Sequence, residues 1–341
     1  MLEDNRHIFI DYLRAGSIIG VVMLHVAAPY LYLYGKVDQS IWQIANAFDS
    51  LVRWCVPIFL MISGALLLSK TKELTIKETL LKTLKRLVIP LLIWSTIYYF
   101  YKVNKGIFEL GLYDYVQRVL GDNIQYHFWY IYALIPIYLI APLLSKWMKT
   151  LNDKQLIYLM ILGFFGISGL ATYNQLFTEM KIVNYFPIKE YIYLFILGYI
   201  LFKVEFTKQI RYIIYLLGIL GAVLTIVLTS YFTELNESFY GFFYNYHSPT
   251  VVLMSISLFI FAKQVFKKTY SLVQIIGTTS FGVYFIHLLI LDITKPYFLS
   301  NGILHVNPII AIPFNTIIVL LFSVIFISLL HKIPKIKSYI G

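Results

Sequence analysis

The stretch that decides the fold is Ile10–Gly35, IDYLRAGSIIGVVMLHVAAPYLYLYG. A helix needs about 20 apolar residues to cross a bilayer, and this segment has the length. Yet it carries Asp11, Arg14 and His25. A charged group within lipid is costly, so an ionisable residue in such a segment is a functional candidate. Arg14 and His25 are eleven residues apart. At about 100° per residue that is close to three full turns, so both side chains lie on one helical stripe, about 16 Å apart along the axis. Asp11, three residues before Arg14, is placed to pair with it and orient it.

The rest of the chain has the same character. Of its 341 residues, 59% are hydrophobic and only 13% charged, about half the charge of a soluble domain. The mean hydropathy is +0.74. These values predict an all-α, polytopic membrane bundle, read as one domain over residues 1–341. The mixed-charge start MLEDNRH and the lack of a small-residue cleavage site argue against a removed signal peptide. Span-length segments are expected near 8–33, 42–69, 83–103, 127–147, 155–173, 185–203, 210–232, 248–266, 274–297 and 308–331. The longest connection, about 104–126, is polar enough to form a surface cap.

Net charge is +11. Here it reads as the basic bias of cytoplasmic loops rather than as nucleic-acid binding. Lys70, Lys72, Lys77, Lys82, Lys85 and Arg86 crowd one loop; Lys146, Lys149 and Lys154, then Lys203, Lys208 and Arg211, then Lys263, Lys267 and Lys268 fill others, and Lys332, Lys335 and Lys337 follow the last span. The alternate loops are poor in Lys and Arg, so both termini are expected in the cytoplasm, as an even number of spans requires. The preference for Lys over Arg points to an AT-rich bacterial genome; the expected location is a bacterial cytoplasmic membrane, crossed many times. The single Cys55 excludes an internal disulfide, and no cluster has metal-ligand spacing.

A cationic grip at one end of a helix and an imidazole three turns along suit a long ligand with an anionic head and a reactive tail. Coenzyme A has that shape. Arginine holds phosphate through its rigid fork of donors, and a neutral histidine can take a proton from an attacking hydroxyl. A snorkelling arginine and a packing histidine fit the spacing equally well.

The segment IDYLRAGSIIGVVMLHV resembles the first span of the acyltransferase-3 family of membrane O-acyltransferases, whose motif is Arg or Lys, ten residues, then His. Further segments resemble the family in order: RWCVPIFLMISGALLL (53–68), LKRLVIPLLIW (84–94), HFWYIYALIPIYLIAPLL (127–144) and SFGVYFIHLLIL (280–291). Many members carry a Glu shortly after the Trp of the fourth span, and WYIYALIPIY has none. That departure places the chain nearer the short, stand-alone branch, similar to enterobacterial-antigen O-acetyltransferases. The fused hydrolase-like domain of some members is not expected.

The resemblance implies an acyl-CoA donor, most simply acetyl-CoA, with His25 as base or acyl relay. Arg14 and Arg86 would hold donor phosphates, with Lys85 beside them, although anionic lipid headgroups are the default use of such a basic loop. Arg53 lies as deep as His25 and needs an anionic or polar partner: it either stabilises an oxyanion or pairs with Asp49 one turn earlier. Ser63 and Gly64 read as a close helix contact. His127, Trp129 and Tyr130, with Tyr284 and His287, form a candidate acceptor edge, against the alternative of an interfacial aromatic belt and a core histidine. His7, His305 and His331 look incidental. The expected partners are the lipid bilayer and a glycan or lipid-linked sugar; the oligomeric state stays open, a homo-oligomer included. Competing readings are a polysaccharide exporter or proton-coupled carrier, disfavoured by the lack of an internal repeat, and a ligand sensor without turnover.

Overall fold

A computed structural model describes residues 7–70, 75–177, 182–183, 188–298, 307–333 and 339–340. Lys72, His305, Lys335 and Lys337 lie outside the described residues. No strand occurs among the described residues. Among the described residues, eight helices are long and apolar enough to cross a membrane.

The first span is one unbroken helix, α1 (Ile8–Leu31). The second was expected as one helix and is two, α2 (Gln39–Val52) and α3 (Cys55–Leu68), with a turn at Arg53–Trp54. Pro57 explains the break. Proline has no N–H for the carbonyl four residues earlier and its ring crowds that carbonyl; here the carbonyl belongs to Arg53. The third segment begins with the amphipathic α4 (Ile76–Thr83), closed by a Thr75–Glu78 capping box. It passes through a wide helical turn over Leu84–Val88 into α5 (Ile89–Asn104). That turn lies just ahead of Pro90, the kind of residue that disrupts a helix ladder.

After the cap helix α6 (Leu112–Leu120) and a tight turn at Tyr126–Phe128 come α7 (Trp129–Thr150), α8 (Asp153–Gly163), α9 (Leu170–Leu176) and α10 (Glu190–Lys203). The chain continues through α11 (Lys208–Leu235), α12 (Pro249–Val265), α13 (Ser271–Phe298) and α14 (Pro308–Leu330). Helices thus stand at all ten expected places. However, α5 and α10, at 16 and 14 residues, fall short of the length that marks the other eight.

Helix α1 is the hub, packed against α2, α3, α12, α13 and α14. Gly16 and Gly20, one turn apart, let it approach the break in the second span: a Cβ on Gly16 would sit 3.4 Å from the Trp54 ring, and one on Gly20 would sit 2.8 Å from the Cys55 Cβ. The contact of α3 with α10 is closer still. A Cβ on Gly64 would strike the Phe195 carbonyl at 1.7 Å, and one on Gly198 the Met61 carbonyl at 1.9 Å. Small residues at such crossings let backbones pack closely within lipid. By contrast, α11 turns Leu216, Ile219, Val223 and Val227 outward and buries a Gly/Thr stripe, Gly218, Gly221, Thr225, Thr229 and Thr233. An apolar exterior over a small-residue seam suits a helix whose outer solvent is hydrocarbon.

Candidate active site

Arg14 and His25 lie on the same continuous helix, both partly accessible between buried neighbours. Arg14 Nη1 stands 3.9 Å from the Asp11 carboxylate; the arginine side chain is one-third exposed and the aspartate buried. The Asp11 backbone is also where α13 makes its closest approach, since a Cβ on Gly277 would meet the Asp11 carbonyl at 2.9 Å. At the other end of the same two helices, the His25 and His287 rings are 5.1 Å apart. Touching at Asp11–Gly277 and again at His25–His287, α1 and α13 run parallel past each other.

His127, from the turn before α7, completes a group of three imidazoles. Its ring lies 5.1 Å from His287 and 6.5 Å from His25. Tyr126, its neighbour, brings its hydroxyl within 3.2 Å of His25 Nδ1. His127 is also fixed from behind, because Tyr284 donates its hydroxyl to the His127 carbonyl.

The hydrogen bonds assign one tautomer. His287 Nδ1 faces the Tyr284 carbonyl at 2.7 Å and the Val283 carbonyl at 3.1 Å. Both are acceptors, so Nδ1 carries the proton and Nε2 holds a lone pair. That Nε2 is buried without a hydrogen-bond partner, as are both ring nitrogens of His127. Buried polar atoms are normally paired, so three orphan nitrogens beside His25 mark a place that a polar ligand or proton would satisfy. The described residues contain no His, Cys, Asp or Glu group arranged to hold a metal ion.

Arg53 leaves the break in the second span and pairs with Asp49, which has no exposed surface. Its guanidinium carbon lies 4.0 Å above the Tyr244 ring. The Tyr244 hydroxyl donates to Asn46 Oδ1 at 2.6 Å, and Asn46 Nδ2 reaches the Ile226 carbonyl at 3.0 Å. This cationic group is therefore locked by α2, α11 and the turn before α12, and stays within electrostatic reach of His25. Of the two alternatives for Arg53, the pairing with Asp49 is present.

The other acceptor candidates lie inside the bundle rather than on a rim. Tyr130 and Tyr284 are buried with ring centroids 5.6 Å apart. Trp129 is half-buried between Tyr191 and Tyr246, at 5.2 and 5.6 Å. At the other, basic end, Lys85 and Arg86 are exposed on the turn that precedes α5, and only Arg86 lines the cavity formed there.

Sequence reasoning missed Tyr126 and the convergence of His127 and His287 on His25. Neither carries a spacing signal; a separate pattern marks residues already singled out. Pro29, Pro57 and Pro90 each stand four residues after a candidate: His25, Arg53 and Arg86. Each proline withdraws the helical N–H from the carbonyl of the residue it follows.

A bundle of apolar helices with a charged stripe and a buried imidazole group defines an integral-membrane protein. The model of the acyltransferase-3 family, described as an acyltransferase domain, matches residues 7–328, and the chain belongs to that family. It is 22% identical over 330 residues to the "Putative membrane-bound acyltransferase YfiQ" of Bacillus subtilis (strain 168), covering 92% of this chain and 86% of that one. No solved structure matches it.

Proposed function

We propose that this acyltransferase moves an acetyl group from cytoplasmic acetyl-CoA to a hydroxyl of a lipid-linked or cell-envelope glycan. The observation that supports this reading best is the setting of His25: an imidazole on the accessible stripe of α1, three turns from Arg14 and ringed by unpartnered histidine nitrogens. In the base-competent tautomer, His25 Nδ1–H donates to the Tyr126 oxygen and Nε2 offers its lone pair. Nε2 takes the acceptor hydroxyl proton as that oxygen attacks the thioester carbonyl. The tetrahedral oxyanion collapses, the C–S bond breaks, and the departing thiolate recovers the proton from the imidazolium. The products are an acetyl ester and free CoA.

Arg14, oriented by Asp11, together with Lys85 and Arg86 holds the donor phosphates in this reading, and Arg53 offers positive charge to the oxyanion. His127 and His287, whose rings lie beside His25, form the acceptor wall with Trp129, Tyr130 and Tyr284 behind them. The test is release of free thiol from acetyl-CoA by the purified protein with a glycan acceptor. The wild type is expected to release it, and His25→Ala to lose about a thousandfold, in the middle of the range for general acid–base groups. An exporter or sensor would leave the thioester intact in both.

A further inference from the structure

At the basic end of the molecule, a cavity of about 260 Å³ opens between the end of α3, the start of α4 and the second half of α7. Among the described residues its polar lining includes Lys70, Lys82, Arg86 and Lys146 and no carboxylate. None of the four makes a salt bridge among the described residues. Burial, then the charges of Lys82 and Arg86, presses the Lys70 ammonium below the ordinary lysine range. Such a group of cations costs free energy until an anion joins it.

Carbonyls at the end of α3, which would oppose an anion, are already engaged. Ser145 donates to the Leu68 carbonyl at 2.9 Å and Lys149 to the Lys70 carbonyl at 2.5 Å. The opposite wall is apolar, with Leu67, Ala141, Pro142 and Leu143. Leu143 is 75% exposed, and Ile76, Leu80 and Leu81 on α4 are also exposed. An amphipathic helix with Lys on its other face lies flat at a membrane surface, the level at which lipid phosphates lie. At about 260 Å³ the cavity is smaller than the ~300–1,000 Å³ that encloses a drug-sized molecule. It holds a phosphate-bearing head, with the rest of a larger ligand lying outside it.

We propose that this cavity is a binding site for the phosphate end of an amphiphile, held by Lys70, Lys82, Arg86 and Lys146 with the apolar portion leaving along Leu143. Two molecules carry that chemistry: an anionic phospholipid and the acyl-CoA donor. The second source rests on the function proposed above; the first does not.

The experiment compares full-length wild type with Lys82→Gln/Lys146→Gln. One arm measures retention of phosphatidylglycerol against phosphatidylcholine by native mass spectrometry; the other measures binding of CoA against dephospho-CoA by equilibrium dialysis. Each lysine is worth about a factor of five toward a surface phosphate, so the double variant should weaken one ligand about thirtyfold. Loss confined to phosphatidylglycerol assigns the site to lipid, and loss confined to CoA assigns it to the donor. If CoA fails to bind even wild type while the lipid arm responds, the donor reading fails and the site stands. A folded double variant, with an unchanged melting temperature, that holds both ligands as tightly as wild type overturns the proposal. If the double variant does not fold, Lys146→Gln, at an exposed position on α7, is read the same way with an expected loss of about fivefold.

Discussion

The two ends of α1 are built in opposite ways. Around His25, residues from α1, α13 and the turn before α7 converge in a buried, under-satisfied group. Beside Arg14 stands Asp11, three residues away at 3.9 Å, and the arginine side chain is one-third open. Lys85 and Arg86, also assigned to the basic end, are exposed. Electrostatic interactions strengthen away from water and are screened within it. Chemistry therefore has to sit where packing fixes geometry, while anchoring of a phosphate tolerates slack.

Breaking the buried end should have the largest effect. Asp49→Ala leaves the Arg53 guanidinium without its anion, and unpairing a buried ion pair costs about 3–5 kcal/mol. A thermal melt in detergent should register this as a large drop; a change below about 1 kcal/mol would mean that solvent or lipid headgroups already reach Arg53. His287→Leu comes next. It removes the unpartnered Nε2 of the imidazole beside His25 while leaving the arginines untouched, so kcat should fall about ten- to a hundredfold, at or below the low end of acid–base effects, with KM for acetyl-CoA unchanged. A loss of stability without a kcat effect would reduce His287 to a packing residue. Arg14→Ala tests the open end. Losing a charge-assisted contact should raise KM for acetyl-CoA about tenfold at constant kcat, and the effect should shrink as salt is added. An equal fall in kcat would put Arg14 in the chemistry and erase the contrast between the ends.

The same contrast explains what the sequence disclosed. The Arg14–His25 stripe follows from 3.6-residue periodicity within one helix, and the Asp49–Arg53 pair from a four-residue spacing; both are local. The Gly64 contact was legible because small residues in an apolar run have few other uses. His127 and His287 could be placed on spans but not beside His25, because 102 and 262 residues of chain separate them from it and only tertiary packing closes those gaps. Tyr126 was invisible for another reason: a tyrosine at the mouth of a span reads as one of an aromatic belt. The break at Arg53–Trp54 is not legible in the sequence because the apolar run continues through it.

One further substitution probes how firmly the buried end is held from outside the span. Asp122 lies in the loop that delivers Tyr126 and His127, and it adopts a left-handed backbone conformation at φ 54°. Burial pushes its carboxyl up from 3.8 to about 6. A raised carboxyl pKa means that the folded state holds the proton more tightly than the unfolded chain. Stability therefore falls as pH rises from about 4 to 6, and above that the charged form carries the whole penalty. Two units would be about 3 kcal/mol for a sealed group; solvent reaching this half-buried side chain reduces that to roughly 1 kcal/mol. Asp122→Asn keeps a side chain that tolerates the left-handed region and removes the charge. The variant should match wild type near pH 4 and exceed it by about 1 kcal/mol at pH 8, read from melting temperatures at both. A gain of equal size at both pH values would trace it to backbone preference alone, and the loop would then hold Tyr126 and His127 without electrostatic strain.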